Sequence, residues 1–215
     1  FSEKVWGYEV WRNGDPFGRD DYGCPPKGYG DLAFVQHMLA SLKDGGMLAV
    51  VVAHGVLFRG GAEGRIREAM LAADVIEAVV GLAPNLFYGA GIPAALLICR
   101  KKKPVERRGK VLIVNGDATY QPVKAQNLLT DDHVHMLANA VHGFADIDKL
   151  ARVVPVAEIA ANGHNLNMSR YVQTGADAEA VDVAAEVAKL RDLIARRDDA
   201  EAVMFGHLKR LGYVE

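Results

Sequence analysis

The sequence predicts an α/β protein: strands buried on both faces of a sheet, a helix between the first two, and a helical arm at the C-terminus. Three observations carry this. The runs Met47–Ala53, Val75–Leu82 and Ala94–Cys99 are short, rich in Val, Ile, Leu and Ala, and bounded by Gly, Pro or charge. That is how a strand covered on both faces reads. Between the first two, Glu63–Ala73 sets Ile66, Met70 and Ala73 at helical spacing. Finally, Ala178–Leu211 is a long helical pattern in which Val183, Val187, Leu190 and Ile194 step by four, three and four, the seam of a coiled coil.

The bulk numbers are compatible with this. The chain has 215 residues, half of them hydrophobic, enough for one filled core and an appendage. A net charge of −2 gives no global drive toward nucleic acid or acidic lipid, so a nucleic-acid surface has to be a local patch. Two cysteines, Cys24 and Cys99, make neither a disulfide framework nor a zinc site, which fits a reducing cytoplasm. No apolar run approaches the roughly 18 residues of a membrane span. No Gly-x-Gly-x-x-Gly follows a strand, which argues against a nicotinamide-dependent oxidoreductase.

Taken in order, residues 1–29 are aromatic, Gly/Pro-rich and irregular, and read as a long packed surface loop or a loop beside a flat aromatic substrate. Asp31 is placed to cap a helix whose apolar face is Leu32, Val35, Leu39 and Leu42, stopped by Gly45-Gly46. Gly60-Gly61-Ala62-Glu63-Gly64 leads into the next helix and could bind an anion, although turn geometry alone accounts for the glycines. The loop Ala83–Pro93 has no helical period. With Ala53–Gly64 it holds most of the glycines and aromatics of this region, so the chemistry is expected on these two loops.

Arg100, Lys101, Lys102 and Lys103, with Arg107, Arg108 and Lys110, form a basic cluster before the next strand, Val111–Val114. It reads either as a solvated hairpin tip or as a contact for a phosphate backbone. Thr130–Phe144 reads as a helix. Its His135 and His142 could share a face, but no third metal ligand has a clear place. Val153–Tyr171 reads as irregular.

Several stretches together resemble the modification (methyltransferase) subunit of type I restriction–modification systems, an adenine-N6 DNA methyltransferase. They are Ala33-Phe34-Val35-Gln36-His37, Asp44-Gly45-Gly46, Gly55–Glu63, Ile76–Leu82, Pro84-Asn85-Leu86-Phe87-Tyr88, Gly91-Ile92-Pro93 and Asn165–Tyr171, in family order. Phe1 looks like the last residue of the family's Asn-Pro-Pro-Phe motif. That motif's Asn and prolines, and the glycine-rich element that binds S-adenosylmethionine, are not in this sequence. The family's usual Pro-Asn before Gly55 is Ala53-His54 here, and the first Pro of its Leu-Pro-Pro-Asn run is Ala83.

The resemblance implies the C-terminal half of a Rossmann-like methyltransferase sheet. Residues 1–150 are then the C-terminal part of the catalytic domain, 151–177 an irregular connector and 178–215 a helical partner-docking arm. It implies methyl transfer from S-adenosylmethionine to a flipped-out adenine, with Phe1 stacking on the base. Phe87 and Tyr88, and more weakly Phe58, are candidates for the opposite wall, and Arg100–Lys103 for contacts to DNA phosphates. The implied partners are DNA, a specificity subunit, a restriction subunit and a second modification subunit. No cofactor-binding residue and no metal ligand is expected in this chain, which alone is expected to be inactive. The competing expectation is a non-enzymatic module with a methyltransferase-like fold that docks DNA or a subunit.

Overall fold

The computed structural model describes residues 3–173 and 183–213. The chain divides into two compact units, Phe1–Thr174 and Gly175–Glu215.

The first unit begins with a short helix, α1 (Tyr8–Arg12), inside the aromatic segment. Trp6 packs edge-on against Tyr8 and Trp11, each with ring centroids 5.7 Å apart. Packing is therefore what most of these aromatics do. Helix α2 (Asp31–Ser41) starts at Asp31, with Gly30 in the capping position. The expectation that Asp31 caps the helix is thus off by one residue. Its carboxylate instead takes a hydrogen bond from Arg59 at 3.4 Å. Then come β1 (Met47–Ala53), α3 (Gly61–Ala72), β2 (Ile76–Leu82), β3 (Ala94–Arg100) and β4 (Lys110–Gly116). Helix α4 (Asp131–Gly143) follows, capped by Thr130.

The five-stranded sheet has the order β1-β3-β2-β4-β5, the last strand being Ala151–Pro155. Strands β1, β2 and β4 run one way, β3 and β5 the other. The β2–β3 connection contains no helix, so β3 returns antiparallel and slots between β1 and β2. The region expected to be an irregular connector is corrected here. It carries the edge strand β5, helix α5 (Val156–Ala161) and a 3-10 turn at Met168–Arg170. The alternation in Ala151–Pro155 is too short to reveal a strand by period. Tyr171 and Val172, near the end of that region, are buried in the core.

Side chains alternate across the sheet. One face packs Val52, Ile76, Val79, Leu97, Val111 and Ile113 under α2, α3 and α5. The other packs Val80, Leu112 and Val114 under Leu137 and Ala140 of α4. Beside α4 this second face carries an apolar groove of about 530 Å³ over Leu96, Ile98 and Val80.

In the second unit, Val183–Arg210 forms one helix, α6, of 28 residues with no buried residue. Among the described residues, no helix is long and apolar enough to cross a membrane.

Candidate functional site

In an open α/β sheet, ligands bind beyond the carboxyl ends of the strands. Here β1, β2 and β4 all end on the same edge. Register fixes the neighbours along it: Ala53 lies opposite Ala94, Gly81 opposite Ala95, and Leu82 opposite Gly116. The residues that follow these strand ends are therefore close in space. They are His54 after β1, the Ala83–Pro93 loop after β2 and Asp117 after β4.

Two atoms on this edge stand out. His54 Nε2 and Asp117 Oδ1 are both buried without a hydrogen-bond partner. Buried polar atoms are nearly always bonded, so each is a place where a ligand or water atom fits. Asp117 leans over β2. A Cβ added at Gly81 would come within 2.8 Å of Asp117 Oδ1 and 2.6 Å of Met168 Cε, so a side chain at 81 would push into the space these atoms use. Burial raises the Asp117 pKa, and the nearby His54 acts in the opposite sense. Sequence reasoning missed Asp117, because Asn115-Gly116-Asp117 reads as a plain turn. His54 was visible only as a departure from the family pattern.

The first loop is rigidly seated. His54–Leu57 form a 3-10 turn, and Phe58, 44% exposed, packs edge-on against His54 with centroids 5.6 Å apart. The Arg67 side chain is buried and donates to the carbonyls of Val56, Arg59 and His164. Leu166 N–H donates to the Leu57 carbonyl at 2.9 Å. The segment Asn165–Tyr171 therefore acts as the brace of this loop. Arg59 binds Glu63 at 2.6 Å and lies over the Tyr29 ring at 4.4 Å. Beside Gly60-Gly61, the first turn of α3 thus carries the buried carboxylate of Glu63, neutralised by Arg59.

The second loop carries the aromatics. It is pinned by Asn127, whose side chain donates to the Pro84 carbonyl and whose backbone N–H donates to that of Asn85, both at 2.8 Å. A Phe87–Ala90 bridge closes its tip. Tyr88 is 94% exposed and Phe87 sits at the margin of exposure. Phe58 and the Phe87-Tyr88 pair thus flank the edge from two different strand ends. Phe1 lies outside the described residues.

The basic cluster requires a correction. It is not a hairpin tip, since β4 pairs with β2 rather than β3. Arg100 and Arg107 both bind the fully buried carboxylate of Glu77. Arg107 also donates to the His142 carbonyl at 2.9 Å. Lys103, only 4% exposed, donates to Asp74 at 2.6 Å and to the Lys110 carbonyl at 2.7 Å. Arg100 and Lys103 are therefore structural, because a buried carboxylate and a sharp turn at Asp74 need their charges. Lys101 donates to the Leu42 carbonyl from an exposed position, and Lys102 is exposed.

Toward S-adenosylmethionine, the described residues of this edge offer two unmet polar atoms, His54 Nε2 and Asp117 Oδ1, and the Gly60-Gly61 entry to α3, beside which Arg59 binds Glu63.

The fold and this edge define an α/β domain whose two aromatic loops flank the carboxyl ends of its strands. More particularly, the chain belongs to the N-6 DNA Methylase family, which it matches over residues 1–180. It is 36% identical over 193 residues to the type I restriction enzyme MjaVIII methylase subunit of Methanocaldococcus jannaschii, covering 88% of this chain and 33% of that protein. It is 30% identical to the HindI methylase subunit of Haemophilus influenzae, covering 99% of this chain and 50% of that one. Among solved structures, the type I restriction-modification system methyltransferase subunit from Streptococcus thermophilus superposes with a TM-score of 0.73 at 37% identity, covering 80% of this chain and 36% of that one. The chain thus spans about a third to a half of the length of these relatives.

Proposed function

We propose that these residues are part of a site-specific DNA adenine-N6 methyltransferase subunit of a type I restriction–modification complex. The observation that carries this is the family match over residues 1–180, which takes in both aromatic loops of the edge. The longer protein would use S-adenosylmethionine as methyl donor, and would work with DNA, a specificity subunit and a restriction subunit.

The role of this chain is the base side of the reaction. The exocyclic nitrogen of adenine is a poor nucleophile because its lone pair feeds the ring, so catalysis depends on alignment and polarisation. The base must leave the duplex, at a cost of a few kcal/mol. Stacking on an aromatic face returns about 1–3 kcal/mol. Tyr88 and Phe87, on a pinned loop with their rings near solvent, are suited to that wall. Phe58, packed edge-on against His54, is a second surface. Phe1 is proposed as the opposing platform. His54 and Asp117 supply polar atoms along the same edge. Lys101 and Lys102 remain the surface cations of the 100–103 run that could meet phosphates.

The test compares two preparations. The longer protein, assembled with its specificity subunit, should produce N6-methyladenine in duplex DNA, read by mass spectrometry. The 215-residue chain should produce none and should release no heat when titrated with S-adenosylmethionine. Methylation by the 215-residue chain would overturn the division of labour proposed here. Absence of N6-methyladenine with the assembled protein would overturn the activity and favour a docking module.

A further inference from the structure

The loop Ala83–Pro93 contains no helix and only an isolated bridge at its tip, yet three successive carbonyls in it are taken up. The Asn127 side chain donates to the Pro84 carbonyl and the Asn127 backbone N–H to the Asn85 carbonyl, both at 2.8 Å. The Gln126 side chain donates to the Leu86 carbonyl at 3.2 Å. These side-chain donors lie 40 and 43 residues further along the chain. The next two residues of the loop are Phe87 and Tyr88. Asn85 itself sits in the left-handed region at φ 57°, a conformation that a residue other than glycine keeps only where its surroundings hold it. The donors are seated in turn. Gln121 and Leu128 exchange two backbone hydrogen bonds, at 2.8 and 2.9 Å, which close a short hairpin. Two residues on, Thr130 caps α4, and Leu129 packs with Leu86 against the core cluster that takes in Leu137 and Ala140 of that helix.

We propose that Asn127 is a positioning residue for the aromatic wall: it sets where Phe87 and Tyr88 present their rings, without touching the base itself. The inference rests on the reading of this edge as the base side of an adenine methyltransferase. Stacking contributes in full only when the ring is already in place, because a loop that has to be ordered on binding gives back part of what the contact gains. Tyr88 is 94% exposed and has little packing of its own to fix it, so its place is inherited from the backbone before it. A carbonyl only accepts, so only a donor can hold the Pro84 oxygen. The Asn127 amide supplies that donor. An ionised aspartate at 127 has the same shape but no proton to give, and sets oxygen against oxygen. The backbone bond to Asn85 survives any substitution at 127 other than proline. A change there therefore shifts the loop without releasing it and leaves the sheet untouched. Gln126, with the longer bond, is the weaker tie.

The test has two arms. In the 215-residue chain, Asn127→Asp should speed amide exchange at Ala90, whose N–H donates to the Phe87 carbonyl at 3.1 Å, by about tenfold. The amides of β2 and β3 should exchange as before. In the longer protein assembled with its specificity subunit, Asn127→Asp should lower kcat for N6-methyladenine formation by roughly threefold to thirtyfold, with KM for DNA unchanged. A double-mutant cycle then separates positioning from general support of the fold. In a background of Phe87→Ala with Tyr88→Ala, Asn127→Asp should slow the reaction no further, since the rings it positions are gone. A loss that adds to that of the rings, or unaltered exchange at Ala90, would overturn the proposal. Rings whose removal changes nothing would remove the aromatic wall and this role together. If the assembled protein made no N6-methyladenine, the reading of the edge would fail and the positioning role with it, even where exchange at Ala90 showed the clamp to be real.

Discussion

Replacing Lys103 by alanine tests whether the basic cluster is part of the fold or a DNA contact. The Lys103 side chain is 1% exposed and its ammonium meets Asp74 at 2.6 Å and the Lys110 carbonyl at 2.7 Å. Alanine removes most of a buried aliphatic stem, worth about 2.5 kcal/mol at the usual value per methylene. It also removes a charge-assisted hydrogen bond worth about 1.5–3 kcal/mol. Relief of the cost of burying the ammonium offsets part of this, and breaking a buried pair typically costs about 3–5 kcal/mol net. Asp74 is 29% exposed at its side chain, so water recovers some of its lost partner. The expected loss is therefore about 2–4 kcal/mol. The assay is urea unfolding followed by tryptophan fluorescence. Trp6 and Trp11, the only tryptophans, both lie in the first unit, so α6 does not blur the transition. Lys102→Ala, at an exposed position, should change stability by no more than about 0.5 kcal/mol. If Lys103→Ala cost no more than Lys102→Ala and instead flattened the salt dependence of DNA binding, Lys103 would be a phosphate contact and the structural reading would be wrong.

Other outcomes follow from the same structure. Burial raises the Asp117 pKa, so the folded state binds its proton more tightly than the unfolded chain. Asp117 then lowers stability as pH rises from the ordinary carboxylate range toward its raised folded value. Asp117→Asn should remove that slope and leave the protein more stable at neutral pH, as measured by Tm against pH. Cys99 is fully buried and its thiol is pushed up to about 12, so a thiol reagent should label Cys24 in the native chain and reach Cys99 only after unfolding. Gly206 lies inside α6 with nothing within 4 Å of an added Cβ. Gly206→Ala should therefore stabilise the helix by about 1 kcal/mol, seen as greater helical ellipticity on warming.

Legibility in the sequence followed the strength of local signals. The three apolar runs became β1, β2 and β3 with boundaries shifted by a residue at most; β2 and β3 are covered on both faces as expected, whereas β1 is an edge strand with Met47 and Ala49 exposed. The four–three step of α6 was equally plain. The strand Ala151–Pro155 was hidden because five residues at a sheet edge offer too little period, and Pro155 reads as a breaker. Lys103 and Glu77 were hidden for a different reason. A charge in sequence carries no mark of whether its partner, here 29 and 23 residues away, will fold onto it. The same holds for the site. Phe87 and Tyr88 were legible from their glycine-flanked loop. Asp117 became visible only once β4 was found beside β2, which brought it over Gly81.

The central claim is that the carboxyl edge of this sheet receives the target adenine between its aromatic loops. The most direct measurement is the rate of N6-methyladenine formation by the longer protein in complex with its specificity subunit, with and without the double change Phe87→Ala and Tyr88→Ala. Loss of stacking worth about 1–3 kcal/mol for the one target base should slow methylation by roughly fivefold to a hundred-and-fiftyfold, with the unfolding midpoint and complex assembly unchanged. A double variant that assembles, stays folded and methylates at the unaltered rate would contradict the account.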